Sequence, residues 1–312
     1  MKLDVDYDEK RKIRVGTSGR VKFRIRDIVV EPGKPVSLKK DFDPDFTGGF
    51  DDKAGALQQV ASNVQRLSDM QEMLYAQDTY ALLIIFQAMD AAGKDGAIRH
   101  VMSGVNPQGC QVTSFKSPSA EDLDHGYLWR ASKALPGRGM IGIFNRSYYE
   151  EVLVVRVHPE FLAKQKLPEK TLKGDIWGNR FKEINNFERY LRQNGTIVLK
   201  FFLNISKDEQ KKRFLSRIDE PDKNWKFSAA DYEERTFWDD YQKAFEDMLE
   251  NTSTDWAPWF VIPADNKWFA RLAISEVVSA ALEGLDLRMP VVDDKQKKRL
   301  MDIRGQLSTE LD

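Results

Sequence analysis

The run Ala81-Leu82-Leu83-Ile84-Ile85-Phe86-Gln87-Ala88-Met89-Asp90-Ala91-Ala92-Gly93-Lys94-Asp95 carries an apolar segment into a turn of small residues and then into Gly-Lys. Buried strand, short turn, Gly-Lys and helix follow one another as in a phosphate-binding loop. Two positions depart from G-x-x-x-x-G-K-[ST]: its first glycine is Ala88, and its metal-binding hydroxyl is Asp95. Asp90 puts a carboxylate inside the turn. Backbone N–H groups along Met89, Ala91, Ala92 and Gly93, with a helix N-terminus behind them, would attract phosphate. An acid there repels that ligand unless a cation lies between. Asp90 is therefore read as a ligand of Mg²⁺, with Mn²⁺ as a possible substitute, and Lys94 as the phosphate grip. An ordinary strand-to-helix turn, with Asp95 favouring the helix dipole, remains the blander alternative.

Outward from this run, strand-like apolar segments recur at 81–87, 110–115, 140–145, 196–203 and 259–262. Helical patterns lie near 55–76, 95–104, 119–134, 175–194, 206–218, 231–250 and 266–283. Ser119-Ala120-Glu121-Asp122 and Ser228-Ala229-Ala230-Asp231 read as helix starts, each a hydroxyl cap with an acid three residues on. Alternating strands and helices with nearly continuous apolar strands predict an α/β fold, a parallel sheet flanked by helices on both faces. Ligands of such sheets bind at the carboxyl ends of strands, where 88–94 falls.

Three regions are expected: an N-terminal extension over 1–50, one catalytic domain over 51–287 and a polar helical tail over 288–312. The extension carries Lys10, Arg11, Lys12, Arg14, Arg20, Lys22, Arg24 and Arg26 with no acid between them. Val21-Lys22-Phe23-Arg24-Ile25-Arg26 alternates as a half-buried strand would. Its basic face suits either a polyanion or a solvated, charge-protected edge. The net charge of −1 over 312 residues exerts no global pull toward nucleic acid or membrane, so neither is an expected partner. Cys110 is the single cysteine, which fits a reducing compartment, and it is expected to be buried and inert. The charged N-terminus lacks the apolar core of a signal peptide, and no apolar run approaches the roughly 20 residues that span a bilayer. A cytoplasmic location is expected.

Two further stretches bear on chemistry. In Met140-Ile141-Gly142-Ile143-Phe144-Asn145-Arg146-Ser147-Tyr148-Tyr149 an apolar strand ends in a polar residue and an arginine. Such a strand delivers an acid toward the metal in P-loop enzymes. Here Asn145 offers a neutral carbonyl, and Arg146 would fork onto phosphate oxygens. Capping and surface pairing is the alternative for both. In 206–217, Arg213 and Arg217 are four apart and share one helix face; Lys223-Asn224-Trp225-Lys226 follows. A basic helical lid over about 206–230 would exclude water during transfer; a solvated basic face is the plainer reading. The fold expected is thus P-loop kinase-like with a helical lid. Lys116 ends a strand near the cleft. Arg130 and Arg156 line a phosphate channel or belong to the scaffold. His100, His125 and His158 lack metal-ligand spacing and are read as structural. Tyr148, Tyr149, Trp225, Trp256 and Trp259 are expected in the core.

These stretches together resemble the polyphosphate kinase 2 family. The matching residues are Asp90-Ala91-Ala92-Gly93-Lys94, Phe144-Asn145-Arg146-Ser147-Tyr148-Tyr149, the run from Phe201 to Gln210, Asp222-Lys223-Asn224-Trp225-Lys226-Phe227-Ser228, and Ala257 to Asp265. The resemblance covers roughly 50–287. It implies Mg²⁺-dependent, reversible transfer of a terminal phosphoryl from inorganic polyphosphate to AMP or ADP, giving ADP or ATP. It also implies a homo-oligomer, dimer or tetramer. The family's metal-binding loop acid falls on Asp90, its phosphate-binding lysine on Lys94, its Asp-Arg pair on Asn145 and Arg146, and its lid arginines on Arg213 and Arg217. Asn145 stands where many members carry Asp; members with Asn there resemble the subgroup acting on both AMP and ADP. A polyphosphate track would draw on Lys116, Arg130, Arg156 and the 10–26 cluster. Two alternatives stand beside this reading. One is an ATP-dependent nucleoside monophosphate kinase, against which Asp95 speaks. The other is a non-catalytic polyphosphate- or nucleotide-binding protein, against which Asp90, Lys94 and Arg146 speak together.

Overall fold

The computed structural model describes residues 24–50 and 53–310. Its centre is a five-stranded sheet built from β1 (Ala81–Ala88), β2 (Cys110–Ser114), β3 (Ile141–Asn145), β4 (Thr196–Asn204) and β5 (Trp259–Pro263), in the order β2-β3-β1-β4-β5. All neighbours are parallel. Ile84 of β1 lies opposite Ile143 on one side and Leu199 on the other. Residues 81–86 are buried without alternation, because both faces of the sheet are covered.

The principal helices are α1 (Lys53–Gln77), α2 (Lys94–Val101), α3 (Ile176–Gln193), α4 (Lys207–Asp219), α5 (Ala229–Thr236), α6 (Trp238–Thr252), α7 (Lys267–Glu283) and α8 (Asp294–Thr309). Side chains of β4 alternate between the faces. Lys200 meets Glu188 of α3, and Phe202 packs on Phe245 of α6. Phe201, pointing the other way, stacks between Phe86 and Phe260. On the side of α1 and α7, Asn63 donates to Ser275 Oγ at 2.9 Å and to Glu276 Oε1 at 2.7 Å. The chain leaves β1 toward β2 and β3, and leaves β3 toward β4 on the opposite flank. The order of strands therefore reverses at β1, and a crevice opens at its carboxyl end between the loops after β1 and β3.

The five strands and most helices stand where the sequence predicts them, and both capping boxes, at Ser119 and Ser228, are formed. Three expectations change. The helix over 119–134 is two short pieces, Ala120–Leu123 and Trp129–Lys133, separated around Gly126. The helix over 231–250 is broken at Phe237, where Thr236 Oγ1 bonds back to Glu233 O. The strand over 21–26 is absent among its described residues: Ile25–Asp27 forms a 3-10 turn, and residues 21–23 lie outside the described residues. Sheet pairing instead begins at Ile28–Val30, antiparallel to β5, with Val261 N donating to Ile28 O at 2.7 Å. That pairing covers the β5 edge and draws Ile28, Val30, Leu38 and Phe50 into the common core. The basic cluster from Lys10 to Lys22 also lies outside the described residues. Cys110 is half-buried, and burial pushes its thiol up to about 11. Trp259 is in the core, but Trp225 is 79% exposed on the lid segment, contrary to the expectation. No helix is long and apolar enough to cross a membrane among the described residues.

Candidate active site

The loop after β1 keeps its shape by taking left-handed backbone at two positions, Ala91 (φ +62°) and Gly93 (φ +107°). Only glycine adopts such φ without strain, so Gly93 caps α2 at little cost, whereas Ala91 stores on the order of 1–2 kcal/mol. Neighbours hold the loop in place. Gln210 Nε2 donates to Asp90 O at 3.0 Å. Arg213 Nη1 donates to Ala91 O at 3.0 Å and Ala92 O at 2.9 Å.

Arg213 bonds further protein acceptors as well. Its Nη2 donates to Ala264 O at 2.6 Å and Asp265 O at 3.0 Å, and its Nε to Glu209 Oε1 at 2.8 Å. All five donors of the guanidinium are thereby used on protein acceptors, and the side chain is 8% exposed. Arg213 clasps the loop to the carboxyl end of β5. Arg217 also meets nearby protein groups: it donates to Lys226 O at 3.2 Å and lies 3.7 Å from Asp231.

Across the crevice, the turn after β3 brings the second motif to the first. Arg146 has φ +63°, a strained value for arginine, and its N–H donates to Phe86 O at 3.0 Å. Its Nη2 donates to Asp90 Oδ1 at 3.0 Å, while Glu150 Oε2 stands 3.8 Å from Nη1. Glu150, with Asp90 assisting, holds the Arg146 charge above its ordinary pKa. Beside this pair Asn145 Nδ2 donates to Asp95 Oδ1 at 2.6 Å. The two positions that depart from the usual motifs, Asn145 and Asp95, are thus bonded to each other. Lys94 curls under the loop, its Nζ donating to Ala88 O at 3.0 Å. Burial, and then the charge of Arg146, push its ammonium below the ordinary lysine pKa. Asp90, Lys94, Asn145, Arg146 and Asp95 therefore form one constellation.

A cleft of about 250 Å³ opens beside Arg146. Phe115, Val154 and Phe161 give it apolar walls, and Lys116 and Arg130 stand on its rim. Arg130 Nη1 donates to Lys116 O at 2.7 Å, and its guanidinium lies 5.4 Å from the Phe115 ring centre. Arg156 does not line this cleft. Its Nη2 pairs with Asp247 of α6 and its guanidinium faces the Trp177 ring, while Nη1 is buried without a hydrogen-bond partner.

Three side chains at the site received no role from the sequence. Glu150 follows the tyrosine pair directly and also takes a hydrogen bond from Gln87 Nε2 at 2.9 Å. Asp231, recognised only as a capping residue, sits near enough to Asp90 that burial and that like charge push its pKa up. Tyr241 is raised by burial and by its bond to Glu234. Motif position gave a signal for Glu150; only the fold brings Asp231 and Tyr241 in.

The sequence matches the family described as polyphosphate kinase 2 over residues 51–290. It is 50% identical over 291 residues to an ADP-polyphosphate phosphotransferase of Rhodopseudomonas palustris, covering 92% of this chain and 99% of that one. It is 44% identical over 274 residues to an AMP/ADP-polyphosphate phosphotransferase of Meiothermus ruber, covering 88% and 98%. The crystal structure of a polyphosphate kinase 2 from Arthrobacter aurescens superposes with a TM-score of 0.79 at 42% identity, over 88% of this chain and 95% of that one. Matched by the family over most of its length and by relatives over nearly all of theirs, the chain belongs to the polyphosphate kinase 2 family.

Proposed function

We propose that this protein moves the terminal phosphoryl group of inorganic polyphosphate onto AMP and ADP, and back. The observation that carries the reading is the Asp90–Arg146 contact of 3.0 Å at the mouth of the crevice, next to a cleft of nucleoside size. In the forward step a terminal phosphate oxygen of the nucleotide attacks the end phosphorus of the polymer. The new P–O bond forms as the bridging P–O bond to the rest of the chain breaks, leaving the polymer one unit shorter. Such a transfer asks the protein for alignment and for charge neutralisation. Arg146 and Lys94 supply cationic N–H groups at the loop, and the N-terminus of α2 begins there at Gly93. Apolar walls beside Arg146 suit a nucleoside, and the rim cations Lys116 and Arg130 suit the polyanion.

A divalent ion fits the donor set. Asp90 is 27% exposed and uses only Oδ1 on Arg146, leaving Oδ2 without a protein partner. No group of three or more metal-ligating side chains occurs among the described residues. One carboxylate with phosphate oxygens completing the shell is how Mg²⁺ is commonly held. When bound, Mg²⁺, or Mn²⁺ in its place, neutralises charge on the phosphates. A homo-oligomer and a cytoplasmic location complete the reading; the single Cys110 agrees with the latter.

A donor swap tests the proposal. Purified protein with Mg²⁺ receives ADP plus polyphosphate, or AMP plus ATP, and nucleotides are resolved by chromatography. ATP formation from ADP and polyphosphate is expected. Turnover only with ATP as donor would turn the reading into an ATP-dependent nucleoside monophosphate kinase. Binding without turnover would leave a polyphosphate-binding protein.

A further inference from the structure

Behind the β3 turn lies a polar cluster that the phosphoryl-transfer reading does not use. Glu188 of α3 and Lys200 of β4 are both 0% exposed and 2.7 Å apart. Glu188 Oε1 accepts from Tyr148 Oη at 2.9 Å and Tyr149 Oη at 2.7 Å. Lys200 Nζ donates to Glu188 Oε2, to Tyr149 Oη at 2.9 Å and to Thr252 O at 2.6 Å, so its three donors are all used. Trp259 closes the cluster, its ring 4.8 Å from that of Tyr149 and its Nε1 donating to Thr252 Oγ1.

A buried ion pair is a poor device for stability, since desolvation offsets most of the attraction and apolar residues of similar volume do as well. What this pair does supply is two directed acceptor bonds. Both hold tyrosine hydroxyls, and those tyrosines begin the 3-10 turn Tyr148–Val152, immediately after Arg146-Ser147. Ser147 Oγ accepts from Tyr149 N at 3.1 Å, which ties the turn to its own start. Arg146 has a left-handed backbone that persists only where its surroundings over-determine it. Upstream it is held by the Arg146 N–Phe86 O bond within the sheet. Downstream it is held by Tyr148 and Tyr149.

We infer that Glu188, oriented by Lys200, is a positioning residue for phosphoryl transfer: through the hydroxyls of Tyr148 and Tyr149 it sets the turn that aims Arg146 at Asp90 and places Glu150. The inference rests on the proposed polyphosphate reaction. It assigns to a carboxylate that touches no substrate a share of the alignment, where a displacement of about 1 Å costs on the order of a hundredfold in rate.

Two double variants separate positioning from packing. Glu188→Gln with Lys200→Met removes both buried charges but keeps a carbonyl oxygen for the two hydroxyls. Glu188→Leu with Lys200→Met removes the charges and the acceptor. Each is assayed with ADP, Mg²⁺ and polyphosphate well below its melting temperature. The Gln pair is expected to recover kcat to within about threefold of the parent. The Leu pair should lose about 10- to 100-fold in kcat, with KM for polyphosphate changed less than twofold. Equal kcat in the two folded pairs would overturn the inference. Should the Leu pair fail to fold, Tyr148→Phe with Tyr149→Phe tests the same link, and wild-type kcat in that variant would refute it equally. Absence of polyphosphate turnover in the parent protein would instead refute the proposed reaction.

Discussion

The crevice mouth and the polar core behind it pair an acid with a cation in opposite ways. At the mouth, Arg146 and Asp90 are 40% and 27% exposed and leave donors and acceptors unspent. Behind it, Glu188 and Lys200 are fully buried and every strong donor of the lysine is used. Saturated charges cannot receive a ligand without breaking what they already hold. Arg213 belongs with the second kind despite lying beside the phosphate loop. Proximity to a loop does not by itself assign an arginine to the substrate; spent donors speak for holding the loop, and unspent ones for receiving a ligand.

The comparison breaks most visibly if the mouth is not the site. Lys94→Ala and Arg146→Ala should each lower kcat on the order of a thousandfold, and Arg146→Ala should melt within about 2 °C of the parent, because a half-exposed pair contributes little stability. Steady-state kinetics beside thermal melts would show it; a large loss of Tm with kcat intact would reverse the two regions' roles.

Arg213→Ala gives the next largest effect and the opposite signature. Four carbonyls lose their donor, two in the loop after β1 and two just past β5. Stability should fall by about 3–5 kcal/mol and Tm by roughly 10 °C, with kcat down 10- to 100-fold as the loop loosens. An unchanged melt with a purely catalytic loss would make Arg213 a finger on the phosphate after all.

Asn145→Asp sharpens the comparison within the mouth. Asn145 now donates to Asp95 at 2.6 Å; an aspartate there would set two carboxylates against each other. The expected outcome is a several-fold change in the ratio of AMP to ADP turnover, measured with each acceptor separately. An identical ratio would remove Asn145 from the selectivity argument.

Asp231 supplies the smallest effect and a pH signature. Its folded pKa is raised, chiefly by burial and also by Asp90, so folding favours its protonated form. The stability this confers is fully present below the ordinary aspartate pKa of about 3.9 and is lost as pH rises through the raised value. Asp231→Asn should therefore melt slightly above the parent at neutral pH, by about 2 °C or less, with the gap closing on acidification. A gap that grows toward low pH would place Asp231 in a charge-stabilised setting instead.

Much of this architecture was legible along the chain. Nearly continuous apolar runs located β1, β3, β4 and β5, since burial on both sheet faces leaves no polar face to interrupt them; β2, an exposed edge strand, was placed by its spacing between helical patterns. Asp90, Lys94, Asn145 and Arg146 could be singled out as candidates because each lies within a few residues of a strand end. Other features escaped for physical reasons. The 119–134 pattern broke at Gly126 because a short exposed segment lacks the packing that would hold a weak helix together. Trp225 left the core because hydrophobicity does not reveal whether the fold offers a place to bury it. The protein partners of Arg213 and Arg156 were not visible either, because a sequence shows a charge and not the acceptors that the fold brings to it.

By itself, then, the order of residues determined the strands, the loop chemistry and the family, because these depend on local pattern and on motifs a few residues long. Only the tertiary structure decided which cations stay available. That choice belongs to acceptors far away in sequence: Ala264 and Asp265 for Arg213, Asp247 for Arg156, and Thr252 for Lys200. A charge is spent or free according to what the fold brings within about 3 Å of it, and hydrogen bonds act over no longer range.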